Sequence, residues 1–435
     1  MQMNYLNSDV YEGQKLMELP PNTVIGFGKS DVGIIGKDHT GVCLHPSLFE
    51  KHILTLGSIG SGKSNTMYHI VKAVREKMLN DDVIVFFDAK GDYLEKFYCP
   101  GDLVISNSLT PPPGHTNWNI YNDIMYTPKE KREETIREIA GTLFKSEIEK
   151  SQSPVFGMGA RDLLSGILTV HIRQIEEGKE TWDNHKLANF VRSADDVDLY
   201  NLFLPYEDLD WLRSYIAEDG GATTQSFLLT LYQTVMNVFN GTFGQPGDFS
   251  IRETIIKKGG KAIFLEYDLS SGNILEPVYT VLLDLAMKEV LGRTERTGNV
   301  YFVLDEFPLI PKLNYMDNAL NFGRSLGVKV IAGIQNIAQV EHRYGEAYGR
   351  SILSGFGTVF AFRLFDSKSR SFVSDRHGSV KKLINLVSTT QGKGTQDLYI
   401  DAKVIEDWNL SDLKVGECIV SFAAGSPCLF YPKLY

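Results

Sequence analysis

The chain has 435 residues, of which 43% are hydrophobic, 11% aromatic and 23% charged, and its formal net charge is −10. This composition excludes a disordered, collagen-like or low-complexity chain. At ~150 residues per domain, the length predicts a globular protein of two to four domains, or one large domain that carries an insertion. No apolar run approaches the ~18 residues of a membrane span, and no signal peptide is readable. The 44 basic residues are outnumbered by 54 acidic residues, which excludes a protein that binds nucleic acid over its whole surface.

The first part of the chain predicts a lead-in followed by strands that alternate with helices. Residues 1–51 contain the Gly, Pro and Asp breaks typical of irregular or short β structure. HILTLG at 52–57 then predicts a strand, the run at 65–78 has apolar residues at helical spacing, and VIVFFD at 83–88 is typical of a strand buried in a parallel sheet. Residues 1–127 are therefore expected to form the lead-in and the first part of an α/β domain.

Residues 128–248 predict an inserted all-α domain. ETIREIAGTLF at 134–144 and TQSFLLTLYQTVMNVF at 224–239 each carry an apolar stripe at helical spacing, which favours core packing. Residues 249–435 return to alternating strands and helices and form the second part of the α/β domain. Their strands are predicted at 261–267, 299–306, 328–334 and 358–363, with a closing edge hairpin. The predicted fold class is α/β, with a mostly parallel central sheet interrupted once by helices.

A phosphate-binding loop lies between the first predicted strand and helix. The segment Gly57, Ser58, Ile59, Gly60, Ser61, Gly62, Lys63, Ser64 satisfies GxxxxGK[ST], the Walker A motif, and Asn65 follows it. The glycines let backbone N–H groups point at phosphate oxygens, and the helix adds the positive end of its dipole. Lys63 can reach the β and γ phosphates, while the Ser64 hydroxyl can ligate Mg²⁺. This motif predicts ATP and Mg²⁺ as cofactors, and no guanine-binding motif is found.

The strand NVYFVLDE at 299–306 ends in two acids and resembles a Walker B motif. At the carboxyl end of a parallel strand, Asp305 can hold Mg²⁺ and Glu306 can polarise the water that attacks the γ-phosphorus. Asp88 ends another strand and would lie near the nucleotide if that strand neighbours the phosphate-loop strand. An Asx turn that closes its own strand explains Asp88 equally well.

The order of these motifs resembles one family. The phosphate loop is followed by DAKGDYLEKFYCPGDLVISN, NWNIYNDI, a helical insertion, VLDEF and then GRSLGVKVIAGIQNIAQVEHRYG. This order is similar to that of the conjugative coupling ATPases of the TraD, TraG and TrwB type, within the FtsK–HerA superfamily of RecA-like ring motors. The resemblance implies a RecA-like P-loop NTPase core, a hexameric ring, ATP hydrolysis between subunits and DNA movement through a central pore towards a type IV secretion apparatus.

Two further site residues come from the resemblance. Gln335 matches the family's glutamine after Walker B, a sensor of the γ-phosphate, although a strand-end amide that binds a loop is the plain alternative. Arg324 stands where the family has an arginine proposed to act on the neighbouring subunit's nucleotide. Its place at a predicted helix end also suits a cation that interacts with the helix dipole. The expected catalytic set is Glu306, Lys63, Gln335 and Arg324.

The resemblance also sets the expected partners and location. They are DNA, further copies of the chain, and relaxase or other DNA-processing proteins, secretion-system ATPases and membrane components. The family normally carries N-terminal transmembrane helices, whereas the 56 residues that precede Gly57 here contain no apolar run long enough for one. We therefore expect a cytoplasmic protein, which is either held at the inner face of the membrane through partners or belongs to a soluble branch with another function. Two sets of loop lysines could line a pore or be solvated: Lys257, Lys258 and Lys261, or Lys381, Lys382 and Lys393.

The leading functional hypothesis is an ATP-hydrolysing, DNA-translocating coupling protein of a conjugation or type IV secretion system. Three alternatives remain at the sequence level. The first is a soluble motor similar to HerA or FtsK, in chromosome handling or phage defence. The second is a protein-secretion ATPase, whose turnover DNA would leave unchanged. The third is a nucleotide-gated adaptor with low turnover, which the presence of Glu306 disfavours.

Overall fold

The structure is a computed structural model that describes residues 3–12, 14–26, 32–108, 110–216, 221–268, 272–310, 312–388 and 395–435. The strands are Met3–Glu12 (β1), Met17–Glu18 (β2), Val24–Ile25 (β3), Val32–Ile35 (β4), Gly41–Cys43 (β5), Ile53–Leu56 (β6), Val83–Asp88 (β7), Leu103–Ile105 (β8), Lys261–Glu266 (β9), Val300–Leu304 (β10), Val328–Ile334 (β11), Thr358–Ala361 (β12), Ser379–Ser388 (β13), Thr395–Lys403 (β14), Cys418–Ser421 (β15) and Cys428–Phe430 (β16).

The α-helices are Pro46–Phe49 (α1), Lys63–Lys77 (α2), Asp92–Phe97 (α3), Ile120–Met125 (α4), Arg132–Leu143 (α5), Lys145–Glu149 (α6), Pro154–Glu176 (α7), Asn184–Ser193 (α8), Asp196–Phe203 (α9), Ala222–Val238 (α10), Ile251–Lys257 (α11), Gly272–Leu291 (α12), Met316–Asn321 (α13), Ile337–Tyr344 (α14), Glu346–Ser354 (α15), Ser367–Asp375 (α16) and Asp407–Ser411 (α17). Within the described ranges, no helix combines the length and apolar character needed to cross a bilayer.

The chain folds into two compact units. The first comprises Met1–Met78, Tyr301–Leu309 and Asp317–Tyr435. Its largest sheet has the strand order β2-β16-β15-β12-β6-β11-β10, in which β6 pairs in parallel with both β11 and β12, and β12 pairs antiparallel with β15. Every residue of β6, β11 and β12 is buried, as expected for strands covered on both faces.

The register of this sheet brings strand ends together. Ile334 of β11 and Ala361 of β12 both pair with Leu56, the last residue of β6. The segments that follow these three parallel strands therefore start at one edge of the sheet. Ligands of α/β proteins bind at such carboxyl-terminal edges.

Two smaller sheets complete the first unit. One has the order β3-β5-β4, and the other has the order β1-β13-β14. Lys381 and Lys382, which the sequence analysis placed on a loop, lie in β13 instead, and Lys382 forms an ion pair with Glu406 at 3.1 Å. That prediction was wrong because the run VKKLINLVS is extended and pairs on both sides. Lys393 lies outside the described residues.

The second unit comprises Leu79–Val300 and Ile310–Met316. Its strands β7, β9 and β8 form parallel pairs, with β9 between the other two. The described residues between Ile105 and Lys261 contain eight α-helices, α4 to α11, and no strand. The long helix α7 contributes the core residues Leu163, Leu164, Ile167 and Leu168, none of which is exposed. The domain boundaries at 128 and 248 remain predictions.

The remaining lysines of the expected DNA contacts lie in the second unit. Lys257 at the end of α11 forms an ion pair with Glu253, and Lys258 donates to the carbonyl of Thr297. Lys261 is exposed at the start of β9. Lys257 and Lys258 therefore have partners within the chain, while their role towards DNA remains a prediction.

Candidate nucleotide-binding site

The phosphate loop joins β6 to α2. Gly62 has a φ of 113°, in the left-handed region, and a Cβ at this position would lie 3.0 Å from the Cα of Gly416. Both conditions require glycine. Gly62 is also the N-cap residue of α2, and no side chain caps the first turn of this helix. Its first N–H groups are therefore oriented for an anion.

Backbone contacts fix the base of the loop to the neighbouring strands. The N–H of Gly57 donates to the carbonyl of Ile334 at 3.2 Å, and the N–H of Ser58 donates to the carbonyl of Arg363 at 3.1 Å. Ile59, at the tip, is 82% exposed. The loop is therefore anchored at its base, and its tip faces solvent.

Lys63 is the first residue of α2 and is 6% exposed. Its ammonium group donates to the carbonyl oxygens of Gly57 at 2.7 Å and Ser58 at 3.0 Å. The charged end of the side chain therefore lies along the loop, where the Walker A lysine meets the β and γ phosphates.

A hydroxyl and a carboxylate lie together beside the loop. The Ser64 Oγ donates to Asp305 Oδ2 at 3.3 Å, and Asp305 is 8% exposed at the end of β10. The other carboxylate oxygen, Oδ1, accepts the N–H of Glu306 at 3.1 Å. Hydroxyl and carboxylate oxygens are the ligands that Mg²⁺ prefers, so this pair fits the expected metal.

Glu306 and Gln335 lie in contact. The Gln335 Nε2 donates to Glu306 Oε2 at 2.9 Å, and both side chains are half-buried. Glu306 has a φ of 59°, a left-handed conformation that costs a residue with a Cβ ~1–2 kcal/mol. Strain of this kind is concentrated at functional sites. The structure therefore places the glutamate and the glutamine of the sequence hypothesis side by side.

Arg324 occupies a 3-10 turn, Gly323–Leu326, before β11. Its side chain is 57% exposed, and its guanidinium binds Glu50 at 3.1 Å. Among the described residues, the Arg324 side chain therefore contacts the C-terminal end of α1 and not the phosphate loop. An exposed arginine is compatible with action on another subunit, which stays a prediction.

Three residues around the loop were missed by the sequence analysis. A Cβ on Gly57 would lie 2.6 Å from Phe362 Cβ, so this side chain packs directly against the loop. The N–H of Gly416 donates to the carbonyl of Ser61 at 2.9 Å. The Nε of Arg363 is buried and makes no hydrogen bond to the described residues. Phe362 and Arg363 directly follow β12, and their position at a strand end could have marked them as site residues. No feature of the sequence marks Gly416.

Asp88 does not meet the condition set for a role at the nucleotide. The strand β6 is flanked by β11 and β12, so β7, which ends at Asp88, is not its neighbour. The carboxylate of Asp88 instead accepts the N–H groups of Tyr93 and Leu94, each at 2.9 Å. This arrangement supports the alternative in which Asp88 closes its own strand and caps α3.

With this geometry established, comparison with known proteins identifies the family. The model of the type IV secretion-system coupling protein DNA-binding domain matches residues 37–401. The chain belongs to this family. The resemblance inferred from the motifs is thereby confirmed.

Curated relatives of this family are about one-fifth identical to the chain over the aligned residues. The coupling protein TraD of Escherichia coli (strain K12) is 22% identical over 344 residues, which cover 75% of this chain and 44% of TraD. The type IV secretion system-coupling protein VirD4 of Bartonella henselae is 22% identical over 355 residues, covering 77% of this chain and 51% of VirD4. The chain thus spans about half the length of the relatives it matches.

Solved structures of the family share the fold. The unbound form of the bacterial conjugative coupling protein TrwBdeltaN70 has a TM-score of 0.74 at 16% identity, covering all of this chain and 94% of that one. The plasmid coupling protein TrwB in complex with ADP and Mg²⁺ has a TM-score of 0.70 at 16% identity, covering 100% and 95%. These similarities confirm the predicted α/β fold with a RecA-like core.

Proposed function

We propose that the chain is an ATP-hydrolysing motor that moves DNA for a conjugation or type IV secretion system. One observation carries this proposal. The phosphate loop, the Asp305–Glu306 pair and Gln335 follow β6, β10 and β11, three consecutive strands in the order β6-β11-β10. Phosphate-binding, metal-binding and water-activating groups therefore converge at one sheet edge.

Each residue has a defined role in the proposed reaction. Lys63 and the first turn of α2 bind the phosphates of ATP and hold the triphosphate in place. Ser64 and Asp305 hold Mg²⁺, which neutralises charge that develops on the phosphate oxygens. Glu306 accepts a proton from water while the oxygen of that water attacks the γ-phosphorus. The bond between the γ-phosphorus and the β–γ bridging oxygen breaks. ADP and inorganic phosphate are the products.

Gln335 reports the loss of the γ-phosphate in this proposal. Its bond to Glu306 couples it to the residue nearest the reacting water, and it begins the segment that leads into α14. Arg324 acts on the nucleotide of an adjacent subunit in a ring of copies, for which a hexamer is the expected size. Its exposure supports this role.

DNA, the secretion machinery and DNA-processing proteins are the proposed partners. The relatives that match are coupling proteins, and the matched family model is a DNA-binding domain. DNA is expected in a central pore of the ring, with the helices between Ile105 and Lys261 available to recruit substrate. We place the chain on the cytoplasmic side of the membrane, attached there through its partners.

The decisive experiment measures ATP turnover without DNA, with single strands and with duplex. Lys63→Ala removes the phosphate-binding ammonium and is expected to abolish turnover, while Glu306→Gln lowers it ~10²–10⁴-fold and preserves ATP binding. Lys72→Ala is the matched control, because Lys72 lies on the same helix and its side chain is 55% exposed. Turnover that neither DNA form stimulates would contradict the motor and favour a protein-export ATPase. Normal turnover of Lys63→Ala would contradict nucleotide hydrolysis at this site.

A further inference from the structure

A short segment, residues 431–435, lies against the small sheet of the first unit. The carbonyl of Tyr431 accepts the N–H of Lys37 at 2.8 Å, and the N–H of Lys433 donates to the carbonyl of Ile35 at 2.9 Å. The ammonium of Lys37 lies 3.3 Å from the centre of the Tyr431 ring. These contacts extend the sheet beyond β4 and fix the path of the segment.

The same segment is bonded to the helix that follows the phosphate loop. The side chain of Asn65 donates through Nδ2 to the carbonyl of Lys433 at 2.9 Å and accepts the N–H of Tyr435 at 2.7 Å. His69, one turn further along α2, donates from Nε2 to the same Lys433 carbonyl at 3.0 Å. Segment 431–435 is therefore held to the first two turns of α2.

Aromatic rings gather at this junction. The ring of Tyr435 lies with its centre 5.6 Å from that of Tyr68 and 5.3 Å from that of His69. Tyr435 is 43% exposed, and Tyr68 and His69 are half-buried. The three rings form a cluster at the surface, defined here as the aromatic cluster.

The helical repeat spreads this cluster around α2 in one direction from Ser64. Successive residues turn by about 100°, so Tyr68, Asn65 and His69 lie about 40°, 100° and 140° around the helix from Ser64. Met67 turns the other way, and its sulfur lies 3.1 Å from the position a Cβ would take on Gly333. The γ end of a bound triphosphate is fixed by Ser64 and its metal. The nucleoside lies at the opposite end of the phosphate chain, and the aromatic cluster presents ring surface within two helical turns of the loop.

We propose that the aromatic cluster of Tyr68, His69 and Tyr435 is the subsite for the purine base of the nucleotide. This inference rests on the proposed function, because it needs a nucleotide in the phosphate loop. The base stacks on the Tyr435 ring, which Tyr68 and His69 hold in position through a tilted and an edge contact. Both polar ends of the Asn65 amide are already bonded to segment 431–435. Recognition therefore comes from stacking, which tolerates either purine, and not from hydrogen bonds of Asn65 to the base edge.

The test compares the affinities of ADP, GDP and pyrophosphate, none of which the site consumes, by titration calorimetry. Tyr435→Ala is expected to weaken ADP binding about 5- to 100-fold, the range of base–aromatic stacking, and to leave pyrophosphate binding within about twofold. Tyr435→Phe retains the ring and should bind ADP as the wild type does. Leu434→Ala is the matched control, because Leu434 is the adjacent residue and is 91% exposed. ADP and GDP should differ by less than about tenfold in the wild type.

The outcomes separate the subsite from the proposed function. Unchanged ADP affinity in Tyr435→Ala, or an equal loss for ADP and pyrophosphate, overturns the subsite. A Tyr435→Phe variant as weak as Tyr435→Ala also overturns it. Lys63→Ala should weaken both ADP and pyrophosphate. If Lys63→Ala binds both as tightly as the wild type, the nucleotide site itself is wrong, whatever Tyr435 does.

Discussion

Gly333→Ala should disturb the carboxylate of Asp305, the proposed Mg²⁺ ligand, without touching the phosphate loop. Gly333 lies in β11 opposite Thr55, and a Cβ there would lie 2.7 Å from Asp305 Oδ1 and 3.1 Å from Met67 Sδ. Ordinary contacts between such atoms begin at about 3.4 Å, so the carboxylate must move by roughly 0.5 Å or more. The backbone of Gly333 is not in the left-handed region, so the clash alone is tested.

Two effects of different size are expected. Overpacking of a buried strand should lower the free energy of unfolding by about 1–3 kcal/mol. Displacement of Asp305 from its position beside Ser64 should lower Mg²⁺-dependent turnover by about 10²-fold, the usual effect of a misplaced catalytic group. Urea unfolding measures the first effect. Turnover as a function of Mg²⁺ concentration measures the second, with a higher concentration needed for half-maximal activity.

Gly141→Ala serves as the control for this variant. Gly141 lies in α5, and a Cβ there would meet nothing within 4 Å. Alanine favours the helix over glycine, so this variant should be as stable as the wild type or more stable by up to about 1 kcal/mol. Gly333→Ala with an unchanged Mg²⁺ dependence and normal turnover would refute the assignment of Asp305 as the metal ligand.

Two further predictions concern charged groups. Arg324→Ala should lower turnover ~10³-fold while ADP binding is retained. Mixing this variant with inactive Lys63→Ala subunits should restore activity at the mixed interfaces. Full activity of Arg324→Ala alone would exclude the action of Arg324 on the nucleotide of the adjacent subunit. Burial raises the pKa of Asp284 from 3.8 to about 7, despite two hydrogen bonds from Asn314. The folded protein therefore favours the neutral carboxyl group. The contribution of this group to the free energy of unfolding is complete below pH ~4 and is lost as pH rises through about 7. Asp284→Asn should therefore be more stable than the wild type by up to about 4 kcal/mol at pH 8. A difference in unfolding free energy between the two proteins that stays constant from pH 5 to pH 8 would contradict this.

The sequence was sufficient where a function depends on adjacent residues. The Walker A loop needs its glycines, lysine and serine in one fixed order, and Asp305 and Glu306 end a continuous apolar strand. Such patterns predicted both the elements and their place at strand ends. Gln335 required the family resemblance, because a single amide after a strand has many structural uses.

The sequence was insufficient where partners are distant along the chain. Asp88 and Asp305 both end apolar strands, and only the contact of Asp305 with Ser64, which long-range strand pairing creates, shows which of the two lies beside the phosphate loop. Gly416 and segment 431–435 meet the phosphate loop and α2 across more than 300 residues, with no local pattern to mark them. The extended, paired state of Lys381 and Lys382 likewise depends on β1 and β14, whose contribution no local window contains.

The left-handed backbone of Glu306 has a consequence for protein engineering. Glycine at this position would remove the backbone strain and would therefore raise the thermal stability of the protein. The same change would delete the carboxylate on which the proposed chemistry depends. Selection for thermal tolerance alone would therefore enrich inactive variants at residue 306, and a library built to improve the protein should hold this position constant.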